Sequence, residues 1–233
     1  MKTLIIIPVL LFSLFLGLPS YSSDFDKGLT AYNNGDSATA LKEWKPLAEE
    51  GDVDAQYYLG VLFDNGDGVP QDYKEAVRWY THAAKQGHAK SQYNLALMYD
   101  IGEGVPEDDK EAVYWYKLAA KQGDAKAQYN LGVMYDVGEG VPQDDKEAVR
   151  WYTLAAEKEH AKAQYNLGVM YALGEGVIKD YVYAHMWGNI ASMNENDKGE
   201  TLRGYFAEKM TSSQIEEAQR LARECIKKNY KVC

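Results

Sequence analysis

Side chains able to do chemistry are present in this chain, but their spacing favours binding over catalysis. Tyr57, Tyr93, Tyr129 and Tyr165 stand 36 residues apart, and Asp64, Asp100 and Asp136 keep the same interval seven residues further on. Phenol rings flanked by carboxylates at a fixed repeat suit an extended peptide with some basic residues, because rings supply rigid contact area and carboxylates supply charge. Leu97 and Val133, with Val61 and Val169, fall between the two series and complete a candidate face. Packing alone would also account for the tyrosines, and the aspartates serve equally well as solvated helix ends.

No set of side chains has the spacing of a catalytic or metal centre. His82, His88, His160 and His185 lack the His-x-x-x-His or Cys/His intervals that zinc sites use. Asp64-Asn65-Gly66-Asp67-Gly68 superficially matches the start of a calcium loop, yet its glycines already serve as helix stops. Gly102-x-Gly104 lacks the strand–helix setting of a nucleotide fingerprint, and no serine sits in a Gly-x-Ser-x-Gly turn. Asp108-Asp109 and Asp144-Asp145 read more simply as helix starts than as acid/base pairs. The expectation is a chain with no catalytic residue, no metal ligand and no cofactor site.

The elements that would position the tyrosines follow from the same interval. Trp79, Trp115, Trp151 and Trp187 are also 36 apart, and a period of this size marks stacked helical units. In the unit 89–124, Ser91, Leu95, Met98 and Tyr99 recur at helical spacing, as do Ala112, Trp115, Tyr116, Ala119 and Ala120. Gly102 and Gly104 can take the left-handed conformation that ends the first helix, and Pro106 prevents its continuation. Asp108 followed by Glu111 resembles a capping box that opens the second helix, and Asp72 with Glu75 and Asp144 with Glu147 repeat it. Gly60, Ala96, Gly132 and Gly168 share one mid-helix position, which predicts close backbone approach to the Ala-Ala pairs 83/84, 119/120 and 155/156. The predicted fold is all-α, a right-handed α/α solenoid of helix-turn-helix repeats.

Four segments result. Residues 1–22 read as a secretory signal, with Lys2 before the apolar stretch Leu4–Leu18 and small residues around a cut after Ser22. An uncleaved anchor is the alternative, but a stretch interrupted by Pro8 and Gly17 falls short of the roughly 20 residues that span a bilayer. Residues 23–54 form a partial repeat, 55–196 the regular repeats, and 197–233 two capping helices, the second opened by Thr211 with Gln214. The net charge of −10 repels phosphate backbones and excludes nucleic acid as a natural partner. Export to an oxidising compartment makes a Cys225–Cys233 bridge reasonable if the helix ends between them, Asn229 being a suitable stop; two unpaired thiols are the alternative. The expected location is periplasmic or secreted, with no stable membrane span after cleavage.

The unit resembles the Sel-1-like repeat family through Ala127, Leu131-Gly132, Tyr135, Gly138-Glu139-Gly140-Val141, Asp144, Ala148, Trp151-Tyr152 and Ala155-Ala156. The tail, with Tyr183-Ala184, Trp187, Met210-Thr211 and Gln214-Ile215, is similar to the ending of exported bacterial members. The resemblance implies a superhelix like tetratricopeptide arrays, whose first helices line the concave side, and a role in protein–protein interaction. It therefore implies a protein or peptide partner and a non-enzymatic scaffold. Some cysteine-rich relatives have been described as binding or hydrolysing β-lactams, so a β-lactam- or peptidoglycan-directed activity is the alternative. This chain lacks the cysteine pair that those relatives carry in each repeat.

Overall fold

The structure, a computed structural model, describes residues 21–231 and 233. Residues 1–20 of the expected signal segment therefore lie outside the described residues. The described residues form helices α1 (Tyr21–Asn33), α2 (Ser37–Glu49), α3 (Val53–Asn65), α4 (Tyr73–Lys85), α5 (Ala89–Ile101), α6 (Asp109–Lys121), α7 (Ala125–Val137), α8 (Asp145–Ala156), α9 (Ala161–Leu173), α10 (Tyr181–Met193), α11 (Asp197–Ala207) and α12 (Ser212–Lys227). There is no strand among them. Each helix packs on the next from α1 to α11, while α11 also reaches α9 and α12 docks on α10. Units that abut in chain order are what a solenoid requires, since each can bury its apolar face only against its neighbours. No helix among the described residues is long and apolar enough to cross a membrane.

The turns obey the glycine and aspartate chemistry of the repeat. Gly66, Gly102, Gly138 and Gly174 close the first helices at φ values of 76°, 72°, 80° and 82°. Each donates its N–H to the carbonyl four residues back. The second glycine of the turn has a further reason: a Cβ on Gly104 would run into the Tyr73 carbonyl at the start of α4, so the turn also spaces adjacent units. The second helices open on Asp72, Asp108, Asp144 and Asp180, whose carboxylates accept from two backbone N–H groups each.

The expected capping boxes are only half made. The backbone N–H of Asp108, which Glu111 would have to engage, already donates to the Tyr99 carbonyl at 2.9 Å, and Asp72 and Asp144 are held in the same way. Glu75 and Glu147 turn instead to Arg78 and Arg150. Thr211 and Gln214 do form the complete reciprocal box.

The mid-helix glycines also answer to a different neighbour. A Cβ on Gly60 would lie 2.5 Å from the Tyr80 ring, and one on Gly132 would lie 2.7 Å from Tyr152. At these two positions the group that demands a small residue is thus the tyrosine after the tryptophan, not the Ala-Ala pair, whereas Gly168 of the last unit faces Leu202 and the Ala184 carbonyl. Trp44 takes this tyrosine's place in the first hairpin, opposite Gly28.

A buried glutamine joins successive units. Gln56, Gln92, Gln128 and Gln164 donate from Nε2 to Ala48, Ala84, Ala120 and Ala156 carbonyls at 3.0, 3.0, 3.0 and 3.1 Å. These carbonyls lie at the end of the preceding second helix, where each also accepts a backbone N–H from the turn that follows, so the glutamine adds a second donor from the next unit. Gln86, Gln122 and Asn194 then donate to the Oε1 of Gln56, Gln92 and Gln164. The third link is broken because Lys158 stands where a glutamine would, which leaves the buried Gln128 Oε1 without a partner. Asn194 and Asn196 carry the pattern on to α11, so α11 takes the position of a further first helix and extends the stack by half a repeat.

Candidate functional site

Tyr57, Tyr93, Tyr129 and Tyr165 lie on α3, α5, α7 and α9 and are all half-buried. Leu97 and Val133 stand one turn further along with the same partial exposure. Each of the first three rings leans on the core tyrosine of its own unit, with centroids 6.2, 5.9 and 6.0 Å apart for Tyr57–Tyr80, Tyr93–Tyr116 and Tyr129–Tyr152. Their other edge reaches forward to the next unit. Tyr57 meets His88 and Tyr129 meets His160, both at 4.7 Å, where each histidine caps the following first helix. Tyr57 and Tyr129 thus bridge consecutive first helices, and at the junction between them Lys126 of α7 reaches over the Tyr93 ring, so that the strip runs from unit to unit. Burial pushes the Tyr57, Tyr93 and Tyr129 hydroxyls above the usual phenol range, so the strip presents neutral phenols.

The aspartates are differently employed from the expectation of a charged flank. Asp64, Asp100 and Asp136 each accept a hydrogen bond from the hydroxyl of Tyr80, Tyr116 and Tyr152, at 3.0, 2.9 and 3.0 Å. Asn130 of the next unit donates to the Tyr116 oxygen at 2.8 Å, and Asn94 and Asn166 serve Tyr80 and Tyr152. Each set ties the two helices of one hairpin to the first helix of the next. Burial lifts the Asp64 and Asp100 carboxyls above the usual carboxylate range, against the opposing tyrosine hydrogen bonds. The same burial, with the facing carboxylate, pushes the three core tyrosines far up. These carboxylates are tied to the core as acceptors, and cations stand over the strip itself: Lys90 and Lys126 reach over the Tyr57 and Tyr93 rings.

The sequence singles out Tyr116 and Tyr152 only as packing and motif positions, and gives Tyr80 and the three asparagines no role. Their signal was the same 36-residue interval, without any indication of whom they meet. The fourth unit omits the set altogether. Ala172, Gly188 and Leu202 replace its aspartate, tyrosine and asparagine, and a cavity of about 310 Å³ opens there against Tyr165, Leu202 and Phe206. A second cavity, of about 350 Å³, lies between Tyr93 and Tyr129.

The remaining candidate chemistry is quickly placed. Gly66 of the calcium-like stretch closes α3, Asp64 serves Tyr80, and Asn65 donates to Asp67 at 3.1 Å. Among the described residues no group of three His, Cys, Asp or Glu side chains is arranged to hold a metal ion. Burial lowers the affinity of His88, His160 and His185 for a proton, so they stand neutral at pH 7. Cys225 is joined to Cys233 with Cα atoms 5.1 Å apart. The reversal is possible because α12 ends at Lys227 and the chain turns through Asn229 and Tyr230 at φ 52° and 61°.

A stack of helical hairpins with a continuous half-exposed strip along its first helices defines an α/α repeat solenoid. The pattern of the Sel1 repeat matches residues 53–88, 89–124, 125–160 and 161–196, and the chain belongs to that family. Such proteins are generally protein–protein interaction scaffolds and typically non-enzymatic. Among solved structures, a protective antigen of uropathogenic Escherichia coli strains, displaying an SLR fold, is 33% identical over 90% of this chain with a TM-score of 0.82. This chain spans about half, 47%, of that protein's length. A Sel1 repeat protein from Oxalobacter formigenes is 31% identical, with 86% of this chain and 75% of the other covered and a TM-score of 0.71. A sel1 repeat protein from Klebsiella pneumoniae, 23% identical with a TM-score of 0.50, shares the fold. No curated protein matches the sequence.

Proposed function

We propose that this protein is a non-enzymatic adaptor, exported to the cell envelope or beyond, whose strip of first-helix tyrosines binds an extended segment of a partner protein on the concave side of the solenoid. The observation that carries this reading is the continuity of the strip. Tyr57, Tyr93 and Tyr129 are half-exposed, and Tyr57 and Tyr129 pack forward on the cap of the next helix. A surface that runs unbroken from unit to unit suits a long ligand better than a small one. Tyrosine rings lose little rotamer freedom on contact and offer both apolar area and a hydroxyl, which is why binding surfaces favour them.

Export is supported by the basic and apolar character of residues 1–22 and by the Cys225–Cys233 pair, since disulfides persist in oxidising compartments. The description of the E. coli relative as a protective antigen is in keeping with that location. N-terminal sequencing of the mature protein should begin at Ser23.

The binding reading is tested by replacing Tyr93 and Tyr129 with Ala and capturing partners from the organism's own envelope extract. Capture should fall while far-ultraviolet circular dichroism stays helical; undiminished capture would place the binding face elsewhere. Incubation with a chromogenic β-lactam should give no turnover above buffer, and turnover would overturn the non-enzymatic part of the reading.

A further inference from the structure

Lys90, Lys126, Lys162 and Lys198 follow one another at the 36-residue interval, and each is the second residue of α5, α7, α9 or α11. All four are exposed, and among the described residues none has an ion-pair partner. Each stands beside the strip tyrosine of the preceding unit. Lys90 and Lys126 hold Nζ 5.9 Å from the Tyr57 and Tyr93 centroids. Lys162 borders the cavity it shares with Tyr129, and Lys198 the one it shares with Tyr165. Helix stability does not explain the series, because the first turn is where a cation is least favoured.

Two carboxylates face this row without pairing directly with a lysine: Asp54, 3.6 Å from His88 beside Lys90, and Asp124, which acts on Tyr93 and His160 beside Lys126. The strip's own aspartates accept from core tyrosines, and His88 and His160 are neutral at pH 7. A chain of net charge −10 thus carries a row of ammonium groups, none in a direct ion pair, along one edge of its aromatic strip. At its end, beside Lys198, the missing Asp–Tyr–Asn set leaves the apolar cavity between Ala172, Leu202 and Phe206.

We infer that the strip is built for an extended acidic segment of a partner protein, its carboxylates set against Lys90, Lys126, Lys162 and Lys198 and one bulky apolar side chain seated in that terminal cavity. The inference deepens the adaptor reading and rests on it. It reverses the sign of ligand charge expected from the aspartate series alone. Carboxylates on the partner match the lysine row, and the apolar anchor distinguishes a peptide from a plain polyanion, which would engage only the row.

The experiment uses the mature full chain and fluorescein-labelled synthetic peptides of repeating Glu-Glu-Phe, with Gln-Gln-Phe, Lys-Lys-Phe and Glu-Glu-Ala counterparts, followed by anisotropy. Glu-Glu-Phe should bind about tenfold or more tighter than Gln-Gln-Phe, with an advantage that shrinks as salt is raised. The K126E/K162E variant should lose that preference and favour Lys-Lys-Phe. Filling the cavity with A172W should remove the advantage of Glu-Glu-Phe over Glu-Glu-Ala while leaving the charge preference intact. Equal binding of the Glu and Gln peptides, an unchanged preference in K126E/K162E, or no binding of any peptide would overturn the inference. So would displacement by polyphosphate at equal concentration of charges, which would reduce the row to a site for any polyanion. If Tyr93 and Tyr129 prove necessary for partner capture while K126E/K162E is silent, the adaptor reading stands and the lysine row falls; if all variants are silent, both fall.

Discussion

Replacing Tyr116 with Phe keeps the ring that fills the space beside Ala96 and deletes only the hydroxyl. That hydroxyl donates to Asp100 at 2.9 Å and accepts from Asn130 at 2.8 Å, so one atom ties α6 to α5 within its hairpin and to α7 in the next. A hydrogen bond to a charged acceptor contributes about 1.5–3 kcal/mol and a neutral one about 0.5–1.5. Asp100 and Asn130 are both half-exposed and recover part of this from water, which places the expected loss near the low end, about 2 kcal/mol. At roughly 2–4 °C per kcal/mol for a domain of this size, Tm should fall by about 4–8 °C.

The loss should depend on pH in a definite direction. Burial raises the folded-state pKa of Asp100, so its effect on stability is most favourable below the unfolded pKa and worsens as pH rises through the folded value. Removing the donor raises that folded value further, so Y116F should cost more at pH 7 than at about pH 4. Urea unfolding followed by circular dichroism measures the loss, and hydrogen exchange should locate it in α5 to α7. The decisive control is the double-mutant cycle with Asp100→Ala, where the coupling should be about 1 kcal/mol or more. Additive effects, or a Y116F protein within about 0.5 kcal/mol of wild type, would refute the claim that this network joins the repeats.

Three further outcomes follow from the geometry. Lys158→Gln should raise the urea midpoint, by about 1 kcal/mol of stability, because a glutamine there can donate to the orphaned Gln128 Oε1 as Gln122 does to Gln92; no gain would mean that Oε1 already has a partner. Gly104→Ala should cost about 1–3 kcal/mol for its φ of 73° and more for the collision with the Tyr73 carbonyl. Gly35→Ala, at φ 79° with open space around it, should show the conformational cost alone, and equal losses would remove the spacing role of the second turn glycine. Burial, then the neighbouring Lys162 and Lys126, lowers the proton affinity of His160 below that of the unfolded chain, so stability should fall as pH drops through about 6.5. Urea midpoints at about pH 7.5 and 5.5 check this, and His160→Asp, which copies the cap at Asp124, should flatten the difference.

The helices and their order were legible because the 36-residue interval repeats every signal at once: apolar spacing, a left-handed glycine, an aspartate cap. The ends were less so. Residues 197–233 read as two capping helices, yet Asn194 and Asn196 extend the inter-unit hydrogen bonds and seat α11 as one more first helix. That continuation depends on amide geometry, which asparagine in place of glutamine satisfies with a different backbone lead. The strip tyrosines were identifiable as a series, whereas the fate of Asp64, Asp100 and Asp136 was not. A carboxylate at the end of a helix looks the same in sequence whether it meets water or a buried hydroxyl.

What the amino-acid order determined by itself is one-dimensional: which residues recur, where helices start and stop, and that neighbouring units must share an apolar spine. Which side of each helix meets which neighbour was decided only by packing. Helix crossing directs Tyr80, Tyr116 and Tyr152 inward onto the aspartates, leaves the lysines outward beside the tyrosine strip, and leaves a cavity lined by Ala172 and Leu202 in the last unit. The physical reason is that spacing along the chain fixes the angle of a side chain about its own helix axis. Its surroundings depend on the distance and tilt of the helices on either side.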